Sequence, residues 1–175
     1  ALQYGRRNRT LDRRNAKSSG NADGIIERNH MMNTDAAASI HDTQDSIIKR
    51  FTRFDDWMDT YEHLIALGRE HHGIPSETRS EGNALAGCQS QVWMYAEAEG
   101  ERIRFYADSD SLITKGILSL LLAVFDNRSA SEIEASDLYL FDRIGLSSHL
   151  SPIRRNGLAL MVKQIYILAA DHSKE

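Results

Sequence analysis

The chain has little cysteine, little proline and no long apolar run. One cysteine, Cys88, occurs in 175 residues, so an internal disulfide is excluded, and so is a zinc or iron–sulfur site built from several cysteines of one chain. The longest apolar stretch, residues 117–125, is interrupted by Ser119 and is far shorter than the roughly 18 to 20 residues of a membrane-spanning helix. We therefore expect no membrane span. The lone thiol is either a buried residue of the core or a reactive group.

Excess charge of one sign is also lacking. Lys and Arg number 21 against 25 Asp and Glu, for a formal net charge of −4, which argues against a molecule-wide binding surface for nucleic acid. Hydrophobic residues make up 41% and charged residues 26% of the chain, close to the globular average, so disorder throughout is a poor fit. Because one core commonly serves about 100 to 200 residues, the length predicts one domain.

The N-terminal segment differs from the rest of the chain. Residues 1–31 hold seven basic and three acidic residues, a net +4, which leaves −8 for residues 32–175. The segment has few apolar residues and no sustained period, so it buries too little surface to offset the entropy of ordering. We predict a disordered basic tail over 1–38 and a folded domain over 39–175. Three origins stay open for the tail: a cloning or upstream-translated leader, a natural extension, and an Arg-rich organelle transit peptide.

Apolar residues recur at helical spacing from residue 39 onwards and predict two helices. The first is expected to begin near Asp42, and the second at Asp55 and Asp56, because acidic residues favour the positive end of a helix. Residues 68–87 show no helical stripe and predict a long loop. Long ordered loops often carry function, and this loop ends at Gly87-Cys88. The pair is therefore a candidate functional position.

Two alternating runs, 89–97 and 102–107, predict a β-hairpin with one apolar face for helices to cover. Three further helices are predicted by caps at Asp108-Ser109-Asp110-Ser111, at Ser129 with Glu132, and at Ser151 before Pro152, the last running to about Ala170. The order ααββααα predicts an α+β fold, a small antiparallel β-sheet packed by helices.

Cys88 follows Gly87 directly, where the long loop meets the first strand. Glycine tolerates backbone conformations that other residues resist, so the position can present a thiol. A nucleophilic thiol needs access and some thiolate, because an ordinary pKa of about 8.5 leaves little thiolate at neutral pH. Gln89, Ser90 and Gln91 are candidate hydrogen-bond donors to that thiolate. The alternative is a small buried core residue.

Other chemical patterns are weak. The histidines form no HExxH motif and are expected to be solvated, and neither a serine-hydrolase elbow nor a phosphate loop occurs. Lys115 is expected to face solvent. Arg154 and Arg155 lie in the first turn of the last predicted helix, where the helix dipole disfavours cations. They are either solvated, or they recognise a partner's carboxylates or a sulfur anion.

Residues 83–93, NALAGCQSQVW, resemble the SufE and CsdE family of sulfur-acceptor proteins, which work with cysteine desulfurases. Further matches are Leu67-Gly68, Arg79, Asp108-Ser109-Asp110, Lys115-Gly116 and the run from His149 to Leu158, so that the resemblance covers residues 40 to 170. At Ile153 and Arg155 this chain departs from the small hydroxyl residues that are usual in the family. Only Arg154 is therefore carried over from that arginine pair.

The resemblance implies that Cys88 takes sulfane sulfur from a desulfurase persulfide, stimulates the desulfurase and delivers the sulfur to an iron–sulfur cluster scaffold. Such a transfer follows the chemistry of thiol–disulfide exchange, and no second cysteine is present to resolve the persulfide. The implied fold is similar to that of IscU, with the cysteine on a loop. Its thiol would rest in an apolar hollow and swing out at the partner.

The resemblance also implies a set of partner contacts around the cysteine. The residues concerned are Gly87, Gln89, Ser90, Gln91, Asp110 and Arg154. Helix capping explains Asp108 and Asp110 as well as partner contact does. The implied partners are a SufS- or CsdA-like cysteine desulfurase and an iron–sulfur scaffold complex, with no nucleic acid or membrane and with room for a homodimer. We expect a cytoplasmic accessory protein rather than a stand-alone enzyme, with no metal and no cofactor of its own, since pyridoxal phosphate belongs to the desulfurase.

Two other functions stay open. A cluster scaffold or metal-binding module would share the implied fold, although one thiolate per chain supplies too few ligands for a cluster. A non-catalytic interaction domain would bury Cys88 in the core and use Trp93 to mark a docking face.

Overall fold

A computed structural model describes residues 38–173 of the chain. The helices are α1 (Ile40–Phe51), α2 (Trp57–Glu70), α3 (Leu112–Phe125), α4 (Ala130–Glu134), α5 (Leu140–Arg143), α6 (Leu146–His149) and α7 (Pro152–His172), and the strands are β1 (Val92–Glu99) and β2 (Arg102–Ser109). The tail predicted over residues 1–38 lies outside the described residues except for Ala38.

The two strands form the predicted antiparallel hairpin, with Val92 paired to Ser109 and Glu99 paired to Arg102. Gly100 turns the chain between them at φ 62°, a left-handed conformation that glycine adopts without strain. One face of the hairpin is buried, as the alternation predicts, through Val92, Met94, Ile103, Phe105 and Ala107. The small antiparallel sheet packed by helices is thereby confirmed.

Helix α3 lies at the centre of the core. Its Leu118, Leu121, Val124 and Phe125 are fully buried, and the helix packs on α2, the sheet and α7. Burial of each such side chain stabilises the fold by about 1.5 to 3 kcal/mol before entropic costs. Within residues 38–173 no helix is both long enough and apolar enough to cross a membrane.

Helices α2 and α3 approach each other through two glycines. A Cβ atom at Gly68 would overlap the carbonyl oxygen of Leu112, and one at Gly116 would overlap that of Leu64. Any side chain at either position would therefore push the helices apart. The contact fixes the first turns of α3, which form part of the candidate site.

Two helix starts test the predicted caps. Helix α1 begins at Ile40, before the predicted start near Asp42, because Ser39 and Asp42 satisfy each other's backbone N–H groups in a capping box. Helix α2 follows Asp56, whose side chain accepts a hydrogen bond from the N–H of Asp59, as predicted. The loop predicted from residue 68 begins only after α2 ends at Glu70.

Later boundaries depart from prediction in small ways. Strand β1 begins at Val92, not residue 89, because the side chains of Asp110 and Ser109 bind the N–H and the carbonyl oxygen of Gln91. Ser111 caps α3, and Ser129 with Glu132 forms the predicted box before α4. Helices α5 and α6 were not predicted, because four-residue helices are too short to show a hydrophobic period. Helix α7 begins at Pro152 as predicted and runs to His172.

Candidate functional site

Cys88 lies near the tip of a short loop that the sheet closes. The N–H of Leu85 donates to the carbonyl oxygen of Val92 at 2.8 Å, which joins the two ends of the segment. Gly87 has φ 89°, and the left-handed backbone needed there favours glycine. Gly87 therefore adopts the kind of backbone conformation that the sequence predicts for it.

The thiol faces a hollow between the first turns of α3 and α7. The apolar lining residues are Val92, Ile113, Ile117, Ile153, Gly157 and Met161, and the polar ones are Gln89, Ser90, Thr114 and Arg154. The cavity volume is about 20 Å³, and about 10 to 15 Å³ is enough for one water-sized atom. There is thus room for about one heavy atom beyond the sulfur of Cys88.

Gly157 brings the backbone of α7 to the thiol. A Cβ atom at this position would lie 3.7 Å from Cys88 Sγ, so the missing side chain helps keep the hollow open. Cys88 Sγ lies 3.9 Å from the carbonyl oxygen of Gly157, a weak contact in which the thiol donates. Since only the neutral thiol can donate, this contact favours the protonated form.

Burial raises the pKa of the Cys88 thiol above its ordinary value, because a thiolate loses hydration in the apolar hollow. Of the residues predicted to support a thiolate, Gln91 has its N–H engaged elsewhere and Ser90 acts as an acceptor. Ser90 accepts from Thr114 at 3.4 Å, and the N–H of Gln91 donates to Asp110 at 3.0 Å. These hydrogen bonds hold the loop, and the resting thiol is a poor nucleophile.

The raised pKa predicts slow alkylation of Cys88 in the folded protein. At neutral pH the rate with iodoacetamide should be lower than in the denatured chain, and it should keep rising through pH 9, because the reactive thiolate forms late. The pH dependence of alkylation, followed by mass spectrometry, measures this. A rate that levels off below pH 8 would show a stabilised thiolate and contradict the account.

The buried carboxylate of Asp108 binds the long loop that connects α2 to β1. Its side chain is 0% exposed. It accepts hydrogen bonds from Arg79 Nη2 at 2.5 Å and from the N–H groups of Ser109 at 2.8 Å and Ile74 at 3.4 Å. Lys115 Nζ lies 3.5 Å from Oδ1, the oxygen that also accepts from Ser109. Asp108 thus joins the end of β2, the long loop and α3.

The charge of Asp108 is compensated. Burial acts to raise the pKa of this carboxyl, but the N–H groups of Ser109 and Ile74 and the cations of Lys115 and Arg79 outweigh burial, so the pKa lies below its ordinary value. Two predictions are corrected here. Asp108 caps no helix and is too deep to contact a partner, and Lys115 pairs with it instead of only facing solvent.

Arg79 also covers Trp93. Its guanidinium lies 5.6 Å from the centre of the indole ring, within range of a cation–π interaction. Trp93 is half-buried, so the alternative in which it marks an open docking face has weak support. Arg79 instead links the loop to β1 as well as to Asp108.

The predicted partner residues surround the hollow unevenly. Gln89, Ser90 and Arg154 line it, whereas Asp110 is exposed and binds the backbone of Gln91. The exposed side chain of Arg155 points elsewhere, with its Nη1 3.5 Å from the carbonyl oxygen of Ser147.

Sequence reasoning missed that Ile153, Gly157 and Met161 line the hollow. Their spacing of four residues, which puts them on one helix face, was the available signal.

His71 departs from the prediction of solvated histidines, whereas its neighbour His72 is exposed as predicted. His71 is half-buried, with Nδ1 2.9 Å from Ser119 Oγ and Nε2 2.8 Å from the carbonyl oxygen of Ala107. Burial lowers the pKa of its ring, so it is a neutral structural residue at physiological pH. Across residues 38–173 no three His, Cys, Asp or Glu side chains cluster in a way that could hold a metal ion.

Comparison with known proteins points to one family. Residues 45–169 match the model of the SufE family, the Fe-S metabolism associated domain. The chain is 34% identical over 125 residues to the sulfur acceptor protein CsdE of Escherichia coli (strain K12), covering 70% of this chain and 85% of the relative. It is 33% identical over 122 residues to the cysteine desulfuration protein SufE of Wigglesworthia glossinidia brevipalpis, covering 69% and 85%. An uncharacterized SufE-like protein of Rhizobium meliloti (strain 1021) is 39% identical over 126 residues, covering 69% and 90%.

A solved structure shares the fold. The solution structure of a hypothetical protein from Thermus thermophilus superposes with a TM-score of 0.63, covering 76% of this chain and 97% of that one, at 16% identity. The likeness supports the α+β architecture and, at that identity, concerns the fold alone. Since the family model spans most of the chain and the named relatives align along most of their own lengths, the chain belongs to the SufE family.

Proposed function

We propose that the chain accepts sulfane sulfur from a partner cysteine desulfurase as a persulfide on Cys88, stimulates that enzyme and passes the sulfur to an iron–sulfur scaffold. One observation carries the proposal. The chain's single thiol lies on a short closed loop beside an apolar hollow with room for about one more heavy atom. Relatives of the chain are named as a sulfur acceptor and a cysteine desulfuration protein, which agrees with this chemistry.

The transfer conserves atoms and electrons. The Cys88 thiolate attacks the outer sulfur of the desulfurase persulfide, a new S–S bond forms, and the donor's S–S bond breaks. The desulfurase cysteine leaves as a thiolate and regains a proton, so that E–S–SH and Cys88–SH become E–SH and Cys88–S–SH. No external oxidant or reductant is needed, and the scaffold receives the sulfur by a second displacement of the same kind.

Because burial raises the pKa of Cys88, the proposed transfer cycle has a resting state in the hollow and a reactive state outside it. In the hollow the thiol is protonated and weakly reactive, so attack requires that the loop carry it outward, where hydration lowers its pKa. After transfer the loop returns, and the outer sulfur occupies the space beside Gly157. The loop hydrogen bonds from Gln91 to Asp110 and from Thr114 to Ser90 are those that such a movement would strain.

The proposed partner surface surrounds the cysteine. Its residues are Gly87, Gln89, Ser90, Gln91, Asp110 and Arg154. Arg154 is exposed at the edge of the hollow and offers a fixed positive charge to a partner's carboxylate or to a persulfide anion. In this proposal pyridoxal phosphate stays on the desulfurase, the chain has no cofactor of its own, and it works in the cytoplasm.

A sulfur chase tests the proposal. The chain is loaded by a desulfurase and ³⁵S-labelled cysteine, separated from both, and mixed with an iron–sulfur scaffold. We expect the label to appear on the chain and then to move to the scaffold. Label that never reaches the chain, or that stays on it while the scaffold loads equally well from the desulfurase alone, would overturn the proposed role.

A further inference from the structure

Ile153 stands out among the exposed apolar residues. The large hydrophobic side chains with high exposure among residues 38–173 are Met58, Leu112, Ile153 and Ile167. Of these, Ile153 alone lines the hollow beside Cys88, with 52% of the residue exposed. Single exposed apolar side chains are common on protein surfaces. Ile153 is distinguished by its position beside Cys88, not by its exposure.

Helix α7 forms one wall of the hollow from mouth to floor. Ile153, Gly157 and Met161 are spaced by four residues and share one helix face. Ile153 is 52% exposed, Gly157 is buried level with the sulfur of Cys88, and Met161 is 3% exposed. The exposure gradient places Ile153 at the mouth and Met161 at the floor.

The rest of the mouth is polar. Gln89 and Arg154 are exposed, and Ser90 and Thr114 are half-buried. The other apolar side chains of the lining lie deep, at 5% exposure or less: Val92, Ile113, Ile117 and Met161. Ile153 is therefore the aliphatic side chain that stands between the hollow and solvent.

We propose that Ile153 shields the sulfur held on Cys88 from small hydrophilic thiols. The inference rests on the proposed persulfide and names the residue that sets its lifetime. A thiolate RS⁻ attacks the outer sulfur, so that Cys88–S–SH and RS⁻ give Cys88–S⁻ and RS–SH. A second thiol then converts RS–SH to RSSR and hydrogen sulfide. The aliphatic side chain obstructs the approach of the hydrated thiolate to the mouth.

Chemical loading separates this test from the proposed function. Inorganic polysulfide transfers one sulfur to the Cys88 thiolate and leaves a polysulfide shorter by one atom, so no desulfurase is needed. After removal of polysulfide, glutathione is added and the persulfide is followed by intact mass spectrometry. The variants are Ile153→Ser, Ile153→Leu as a conservative replacement, and Ile167→Ser as the matched control. Ile167 is on the same helix, 42% exposed and about 21 Å further along.

We expect the persulfide of Ile153→Ser to decay about threefold faster or more than that of the wild type, because access governs thiol exchange. The Ile153→Leu and Ile167→Ser proteins should decay at the wild-type rate, with circular dichroism spectra unchanged in all three. A wild-type decay rate in folded Ile153→Ser, or equal acceleration in Ile167→Ser, would overturn the inference. Failure of the proposed function would appear separately, as a chain that polysulfide loads but no desulfurase does.

Discussion

Replacing Cys88 with serine should abolish both sulfur acceptance and stimulation of the desulfurase. A hydroxyl cannot form a persulfide, and the chain has no second cysteine to take over. The fold should persist, because serine nearly keeps the shape of the half-buried side chain. We expect the free energy of unfolding to change by less than about 1 kcal/mol.

The measurement for Cys88→Ser is cysteine-dependent sulfide release by a desulfurase at saturating concentrations of the variant. Ile167→Ser serves again as a surface control and should stimulate as the wild type does, since its side chain lies outside the hollow. Urea denaturation establishes that both variants are folded. Stimulation retained by Cys88→Ser would mean that the chain acts on the desulfurase without accepting sulfur.

Replacing Asp108 with asparagine should lower the free energy of unfolding by about 1.5 to 3 kcal/mol, the range for hydrogen bonds to a charged group. The carboxylate is 0% exposed, and the substitution removes the charge that pairs with Lys115, 25% exposed, and with Arg79, 41% exposed, both of which water can partly hydrate. It also turns an amide group toward one of these donors. Urea denaturation at neutral pH measures the loss.

Asp110 supplies the matched control for Asp108. It lies two positions away, is exposed, and accepts one hydrogen bond from the N–H of Gln91, which an asparagine oxygen can also accept. We expect Asp110→Asn to change the free energy of unfolding by less than about 0.5 kcal/mol. Equal losses in the two variants would refute the role of Asp108 as the buried anchor of the loop.

The lowered pKa of Asp108 gives this anchor a pH dependence. A carboxyl with a depressed pKa stabilises the folded state above its unfolded pKa of about 3.9, and this stability is lost as the pH falls through the folded value. The stability difference between the wild type and Asp108→Asn should therefore be constant near neutral pH and shrink below about pH 4. A difference that grows on acidification would contradict the assigned charge state.

Much of the fold follows from local signals. The hairpin follows from alternation, the start of α2 from Asp56, and the capping box before α4 from Ser129 and Glu132. These features depend on residues close in sequence, where period and capping chemistry act directly. Helices α5 and α6 escaped prediction because one turn of helix carries no period.

The candidate site was predictable in its centre and in part of its surroundings, since Gln89, Ser90 and Arg154 lie around the hollow, but the long-range contacts that hold it were not predictable. Cys88 and Gly87 are visible in sequence because a lone thiol behind a glycine is a local pattern. The pairing of Asp108 with Arg79, 29 residues away in the chain, depends on how the long loop folds back on the sheet. The raised pKa of Cys88 likewise depends on burial against α7, which only the tertiary structure creates.

The most direct test of the account is mass spectrometry of the intact chain and its peptides after incubation with an active cysteine desulfurase and cysteine. We expect the mass of at least one sulfur atom to be added on the peptide that contains Cys88 and to be removed by reductant. An unchanged Cys88 peptide beside a cognate desulfurase that carries its own persulfide would contradict the assignment of Cys88 as the sulfur acceptor.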